Sequence, residues 1–148
     1  MKSTAKADAK RKTARVKLPC SGRRILVVDD EKTIRDLFLQ IISYGLPNCR
    51  VDVAVNGEEA VEAFRQARHC ILVMDLKMPV MEGEEAFFAI QKLCEEENWC
   101  MPSIIFCSGY TPSAKILRIV NDNPADCLLK KPVLPEQLMA EIKARLPA

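Results

Sequence analysis

No apolar run in this chain approaches the roughly 18 to 20 residues that a helix needs to cross a bilayer. The N-terminus has no apolar stretch of the kind a secretory signal carries. Neither a P-loop nor a G-x-G-x-x-G occurs, so nucleotide binding has no support. There is no C-x-x-C pair, and the seven cysteines are an odd number, which makes zinc and a disulfide framework poor readings. Cys20, Cys49, Cys70, Cys94, Cys100, Cys107 and Cys127 are expected as reduced, mostly buried thiols, several packing like small hydrophobes inside apolar runs. The only histidine, His69, lies just before an apolar run and reads as a turn residue, not as a catalytic base or phosphodonor. Together these absences predict a soluble, cytoplasmic protein.

What is present is one domain's worth of chain, 148 residues, enough for a real core. The net charge of +2 is unevenly distributed. Residues 1–24 hold nine Lys/Arg against Asp8 alone, a net of +8, and the remainder holds thirteen against nineteen acids, a net of −6. Residues 1–23 have almost no large apolar side chain, so burial cannot offset the entropy of ordering them. They read as a flexible basic tail ahead of a domain at 24–148. The plain reading is a solvated arm; the sharper one is electrostatic attachment to an acidic partner, nucleic acid or an anionic membrane surface. Without aromatic residues for base stacking, sequence-specific nucleic-acid binding is not expected.

From residue 24 strands and helices alternate. Ile25–Val28, Val51–Val55, Ile71–Met74, Ile104–Cys107 and Cys127–Leu129 are short apolar runs, as expected for parallel strands covered on both faces. Between and after them, apolar residues recur at helical spacing: Ile34, Leu37, Phe38, Ile41 and Ile42; Ala60, Val61 and Phe64; Ala86, Phe87, Ile90, Leu93 and Cys94; Ala114–Val120; and Leu138, Met139, Ile142 and Leu146. Five βα units predict an α/β fold, a parallel sheet with helices on both faces and right-handed crossovers.

In such a sheet, ligands bind beyond the carboxyl ends of the strands. There the sequence offers Asp29, Asp30 and Glu31 after the first run, Asp75 after the third, Ser108 after the fourth, and Lys130, Lys131 and Pro132 after the fifth. Any one of these, taken alone, is most simply a helix cap, a turn former or a solvated charge. Their convergence on one edge is the informative feature. Two carboxylates about 4 Å apart repel by roughly 4 kcal/mol at an effective dielectric near 20, so the acids call for a cation, and hard oxygen ligands favour Mg²⁺. A nucleophilic carboxylate, a metal and an ammonium suit phosphoryl transfer to Asp75.

Four segments then carry a resemblance: I-L-V-V-D-D-E at 25–31, D-L-K-M-P-V-M-E-G at 75–83, F-C-S-G-Y at 106–110 and K-K-P at 130–132. Over residues 24–146 the chain resembles the receiver domains of bacterial response regulators, stand-alone and chemotaxis-regulator-like. The resemblance implies a flavodoxin-like five-stranded sheet in the order 2-1-3-4-5 with five helices. It implies that Asp75 is the phosphoacceptor. Asp30 would be the direct Mg²⁺ ligand, Asp29 the second acid, and the backbone carbonyl of Lys77 a further ligand. Ser108 would be the switch hydroxyl and Lys131 the phosphoryl-binding lysine. Pro132 would follow a cis peptide bond. The implied donor is a histidine kinase or histidine phosphotransfer protein. The implied output is a protein contact through the fourth helix, fifth strand and fifth helix, or onward phosphorelay.

The chain departs from the family pattern at Leu128, where many members carry a switch aromatic; Tyr110 is the nearest substitute. The stretch from Asp75 to Ser108 is long, with the excess assigned to Glu95–Met101 and Glu95–Glu97 read as a solvated helix end. Lys77 and Tyr110 are bulky and flank the implied path of the hydrolytic water, so slow loss of the phosphoryl group is expected. Two other functions compete. An Mg²⁺-dependent aspartyl phosphohydrolase would keep an acid where Lys77 stands. A phosphorylation-independent binding module would predict a broken acidic pocket. The reading is therefore a switch, not an enzyme.

Overall fold

The computed structural model describes residues 16–147. Most of the tail read at 1–23 lies outside the described residues. The five apolar runs are strands: β1 (Ser21–Val28), β2 (Arg50–Ala54), β3 (His69–Asp75), β4 (Ser103–Ser108) and β5 (Cys127–Lys130). They alternate with α1 (Lys32–Gly45), α2 (Gly57–Ala67), α3 (Gly83–Glu97), α4 (Ala114–Asp122) and α5 (Pro135–Arg145). All pairings are parallel, and the sheet order is β2-β1-β3-β4-β5. This is the flavodoxin-like arrangement.

The period-2 geometry of a strand explains why the central runs are wholly apolar. Even-numbered Leu26, Leu72, Met74, Ile104 and Phe106 face one way, against Phe64 of α2, Phe87 and Ile90 of α3 and Ile116 of α4. Odd-numbered Ile25, Val27, Ile71, Val73 and Ile105 face the other, against Phe38 and Ile42 of α1 and Leu138 and Ile142 of α5. Every residue of β3 is buried. Register aligns the strand ends: Val28 with Met74, Asp75 with Cys107, and Ser108 with Lys130. Asn56 and Ser113 cap α2 and α4, their side chains accepting from the amides of Glu59 and Ile116.

Two boundaries differ from the sequence reading. β1 begins at Ser21, inside the segment read as tail, and the residues before it are held to the domain. The Leu18 amide donates to Asn98 O at 3.0 Å, and the Cys100 amide donates to Leu18 O at 2.8 Å, forming a parallel bridge between Leu18 and Trp99. Trp99 meets Phe64 edge-on at 6.2 Å, with the Arg68 guanidinium 5.5 Å above its ring. The added length at Glu95–Met101 thus builds this clasp, while Glu95–Glu97 form the exposed last turn of α3.

The second difference corrects His69. It is not a turn residue but the first residue of β3, fully buried, its Nε2 2.7 Å from Asp52 Oδ2. Arg24 shares that oxygen at 3.1 Å. A polar residue at a strand's start carries no apolar-run signal.

All seven cysteines are free; Cys70, Cys94 and Cys107 are buried and the others half-buried. Burial pushes the Cys20 and Cys107 thiols up to about 12. Among the described residues, no helix is long and apolar enough to cross a membrane.

Candidate functional site

The carboxyl edge of the sheet gathers charge from three strands. Asp29, directly after β1, and Asp75, the last residue of β3, are 2% and 6% exposed; Asp30 faces solvent. One carboxylate oxygen from each of the three lies within 4.8 Å of the others. The Lys131 ammonium, reaching across from the end of β5, sits 2.7 Å from Asp29 Oδ2 and 3.2 Å from Asp75 Oδ2. The remaining oxygens of these two acids also have partners. Asp29 Oδ1 accepts from the Glu31 amide at 2.9 Å, and Asp75 Oδ1 from the Lys77 amide at 3.3 Å.

Backbone geometry holds this cluster in place. The Lys131 amide donates to Ser108 O at 2.8 Å, and the Lys131–Pro132 peptide bond is cis. On the other side, α3 begins at Gly83, where any Cβ would collide with the carbonyl oxygen of Asp75. Only glycine lets α3 start so close to the end of β3. The Gly83 amide donates to Leu76 O at 3.0 Å. Gly83 lies within one of the informative sequence segments, but its closeness to Asp75 is a tertiary fact that the segment alone does not reveal.

Burial raises the Asp75 carboxyl above its ordinary value; the negative charge of Asp29 adds to this, and Lys131 opposes it. Burial alone would lower the Lys131 ammonium, but its bonds to Asp29 and Asp75 outweigh that and hold it above the ordinary lysine range. Three carboxylates with one ammonium carry a formal charge of −2. That deficit, made of hard oxygen donors with one acid open to solvent, fits a hydrated divalent cation such as Mg²⁺.

The Ser108 hydroxyl is turned to its own loop and not to the charged group. It donates to Tyr110 O at 3.1 Å and accepts from the Tyr110 amide at 3.0 Å, a local turn. The Tyr110 side chain projects into solvent, 69% exposed. Behind it is a cavity of about 300 Å³ lined by Ser108, Tyr110, Thr111 and Leu128 among others. Leu128 is half-buried and aligned with Phe106. The Lys77 side chain is exposed and lies 3.6 Å from Glu82.

Fold and site together define a doubly wound parallel α/β domain with a buried acid pair, a solvent-facing third acid and a bridging lysine at its carboxyl edge. The response regulator receiver domain model matches residues 25–143, and the chain belongs to that family, with the CheY-like fold of two-component signalling. The chain is 30% identical over 109 residues to chemotaxis protein CheY of Thermotoga maritima, spanning 74% of this chain and 86% of that protein. It is 36% identical over 109 residues to the protein-glutamate methylesterase/protein-glutamine glutaminase of Aliivibrio fischeri, spanning 73% of this chain but 28% of that one. Response regulator MprA of Mycobacterium ulcerans matches at 29% over 123 residues, 83% of this chain and 50% of its own length. This chain therefore spans half or less of two of these relatives. Among solved structures, the chemotaxis response regulator CheY4 of Vibrio cholerae superposes with a TM-score of 0.69 at 25% identity, over 85% of this chain and all of that one. A CheY-like receiver domain protein of Methanospirillum hungatei gives 0.67 at 27%, over 84% of this chain and 93% of that one.

Proposed function

We propose that Asp75 accepts a phosphoryl group from a phosphohistidine on a histidine kinase or histidine phosphotransfer protein, and that the chain signals through the resulting change. The observation that carries this reading is the Lys131 ammonium held between Asp29 and Asp75. Such a cation is already positioned to pair with oxygens delivered to Asp75. In the transfer, the P–N bond of the donor breaks and a P–O bond to an Asp75 carboxylate oxygen forms. The electron pair of the broken bond stays on the imidazole nitrogen, which is then protonated from solvent. Asp29, Asp30, Asp75 and the Lys77 carbonyl would hold Mg²⁺, which supplies charge neutralisation to the phosphoryl oxygens when bound.

The acyl phosphate carries about −1.5 to −2 of charge where the carboxylate carried −1, and its oxygens compete with Asp29 for Lys131. It also offers acceptor oxygens to the Ser108 hydroxyl, now held only by its own turn. Movement of Ser108 would release the Tyr110 backbone, and the cavity bounded by Leu128 has room for a rearranged Tyr110. In this reading Tyr110 does the work of the missing aromatic at Leu128. The reader of the change is a target protein on α4, β5 and α5, where Leu117 is exposed. Onward phosphorelay is the other route. Autonomous hydrolytic turnover is disfavoured because Lys77 occupies the position an acid/base carboxylate would need.

The test is incubation with acetyl phosphate and Mg²⁺ followed by intact mass. One added phosphoryl group is expected on the wild-type chain and none on Asp75→Asn. An unlabelled wild type, or a labelled variant, overturns the assignment.

A further inference from the structure

Four described residues have positive φ: Arg23, Arg68, Val80 and Asn98. Arg68 and Asn98 are the C-caps of α2 and α3, where a left-handed residue is routine. Val80 is different. It is the β-branched member of the set, at φ 69°, a genuine outlier for its residue type. The Met81 amide donates to Pro79 O at 2.7 Å, so Val80 is the centre of a γ-turn of the rare positive-φ kind.

The surrounding contacts impose this turn. Met78 is buried before it. The Gly57 amide donates to Met81 O at 2.8 Å after it, and Gly83 closes the loop on Leu76 O. A Cβ at Gly57 would crowd Met81 O at 2.6 Å. The backbone path is thus fixed by its neighbours, and Val80 must adopt it. Glycine or asparagine would adopt it at lower cost.

The valine side chain recovers little within the domain, because it is 74% exposed. A strained residue with most of its apolar surface in solvent is a candidate for external contact. Its position supports that. Val80 lies on the loop that leaves Asp75, and the loops leaving β4 and β5 also present exposed apolar side chains, Tyr110 at 69% and Leu134 at 56%. A polar acceptor pocket surrounded by apolar loop tips suits a partner that must exclude water while a phosphoryl group is transferred.

We infer that Val80 is a specificity-determining docking residue for the protein that carries the phosphohistidine, and that its apolar contact there offsets the backbone strain. The inference rests on the phosphoacceptor reading of Asp75. Two variants separate contact from strain. Val80→Thr keeps the β-branch and the strain but loses apolar character. Val80→Asn loses both.

The probes are ³²P-labelled cytoplasmic cores of a panel of histidine kinases, using the core that labels the wild-type chain fastest, with acetyl phosphate as the small donor. Both variants should take phosphate from the kinase core about tenfold more slowly while accepting it from acetyl phosphate at the wild-type rate. Only Val80→Asn should raise the melting temperature, by a few degrees. Wild-type transfer from the kinase core in both variants would overturn the inference. So would an equal loss with both donors, which would mean that the loop shapes the acceptor itself. Labelling of the wild type by acetyl phosphate but by no kinase core also counts against it. Failure with acetyl phosphate instead removes the underlying reading of Asp75.

Discussion

The Lys131 ammonium lies 3.2 Å from the Asp75 carboxylate, although 56 residues separate them in the chain. The bond closes the acid cluster from the β5 side and makes the lysine a resident counter-ion. Asp29 and Asp75, nearly inaccessible to solvent, would otherwise face each other with no positive charge between them.

Lys131→Met exposes that dependence. Without divalent cations the variant should be less stable by about 3 kcal/mol, the cost of leaving buried charges uncompensated. It should also bind Mg²⁺ more tightly than the wild type, because two carboxylate oxygens are freed and the local charge falls from −2 to −3. Urea unfolding in chelator and calorimetric titration with Mg²⁺ read the two effects. Unchanged stability together with weaker Mg²⁺ binding would show that the lysine is not the counter-ion.

Gly83→Ala tests the closeness of α3 to the end of β3. The added methyl meets the Asp75 carbonyl oxygen, so the helix start must retreat. A loss of about 1 to 3 kcal/mol is expected, with slower labelling by acetyl phosphate because the Asp75 backbone moves. Chemical denaturation beside a labelling time course checks both; a variant of wild-type stability would mean that the approach is looser than described.

His69 gives the domain a pH dependence remote from the acid pocket. Burial holds its pKa below the ordinary 6.5, although Asp52 pulls the other way. The folded state therefore binds fewer protons than the unfolded chain in that window, and stability rises with pH there. The contribution is complete above pH 6.5 and is lost as pH falls from 6.5 through the lower folded value. His69→Gln should flatten the slope of unfolding free energy against pH over that interval, measured by denaturant titration at several pH values. An identical slope in the variant would place the dependence elsewhere.

The fold was legible because β1, β3 and β4 are covered on both faces, which leaves runs such as Ile25–Val28 with no polar residue. The acids were legible for a related reason: a carboxylate directly after such a run falls at the sheet edge. Other features depend on contacts distant in sequence or on torsions that residue type does not encode. His69 is buried and paired with Asp52 of β2, a strand that β1 separates from β3. The Leu18–Trp99 bridge joins residues about eighty positions apart and has no periodic signature. The inward or outward aim of the Ser108 hydroxyl is a rotamer choice, and here the Tyr110 backbone captures it. The left-handed turn at Val80 runs against what its side chain prefers.

The clasp between Leu18 and Trp99 lies ahead of β1 and β4, at the amino edge of the sheet, whereas Asp75 closes the opposite edge. The domain therefore has a handle and a working end. A bead, surface or fused module attached at Val16 or Lys17 will sit on the handle side, away from the acid pocket. Immobilised chain should accept phosphate as readily as chain in solution.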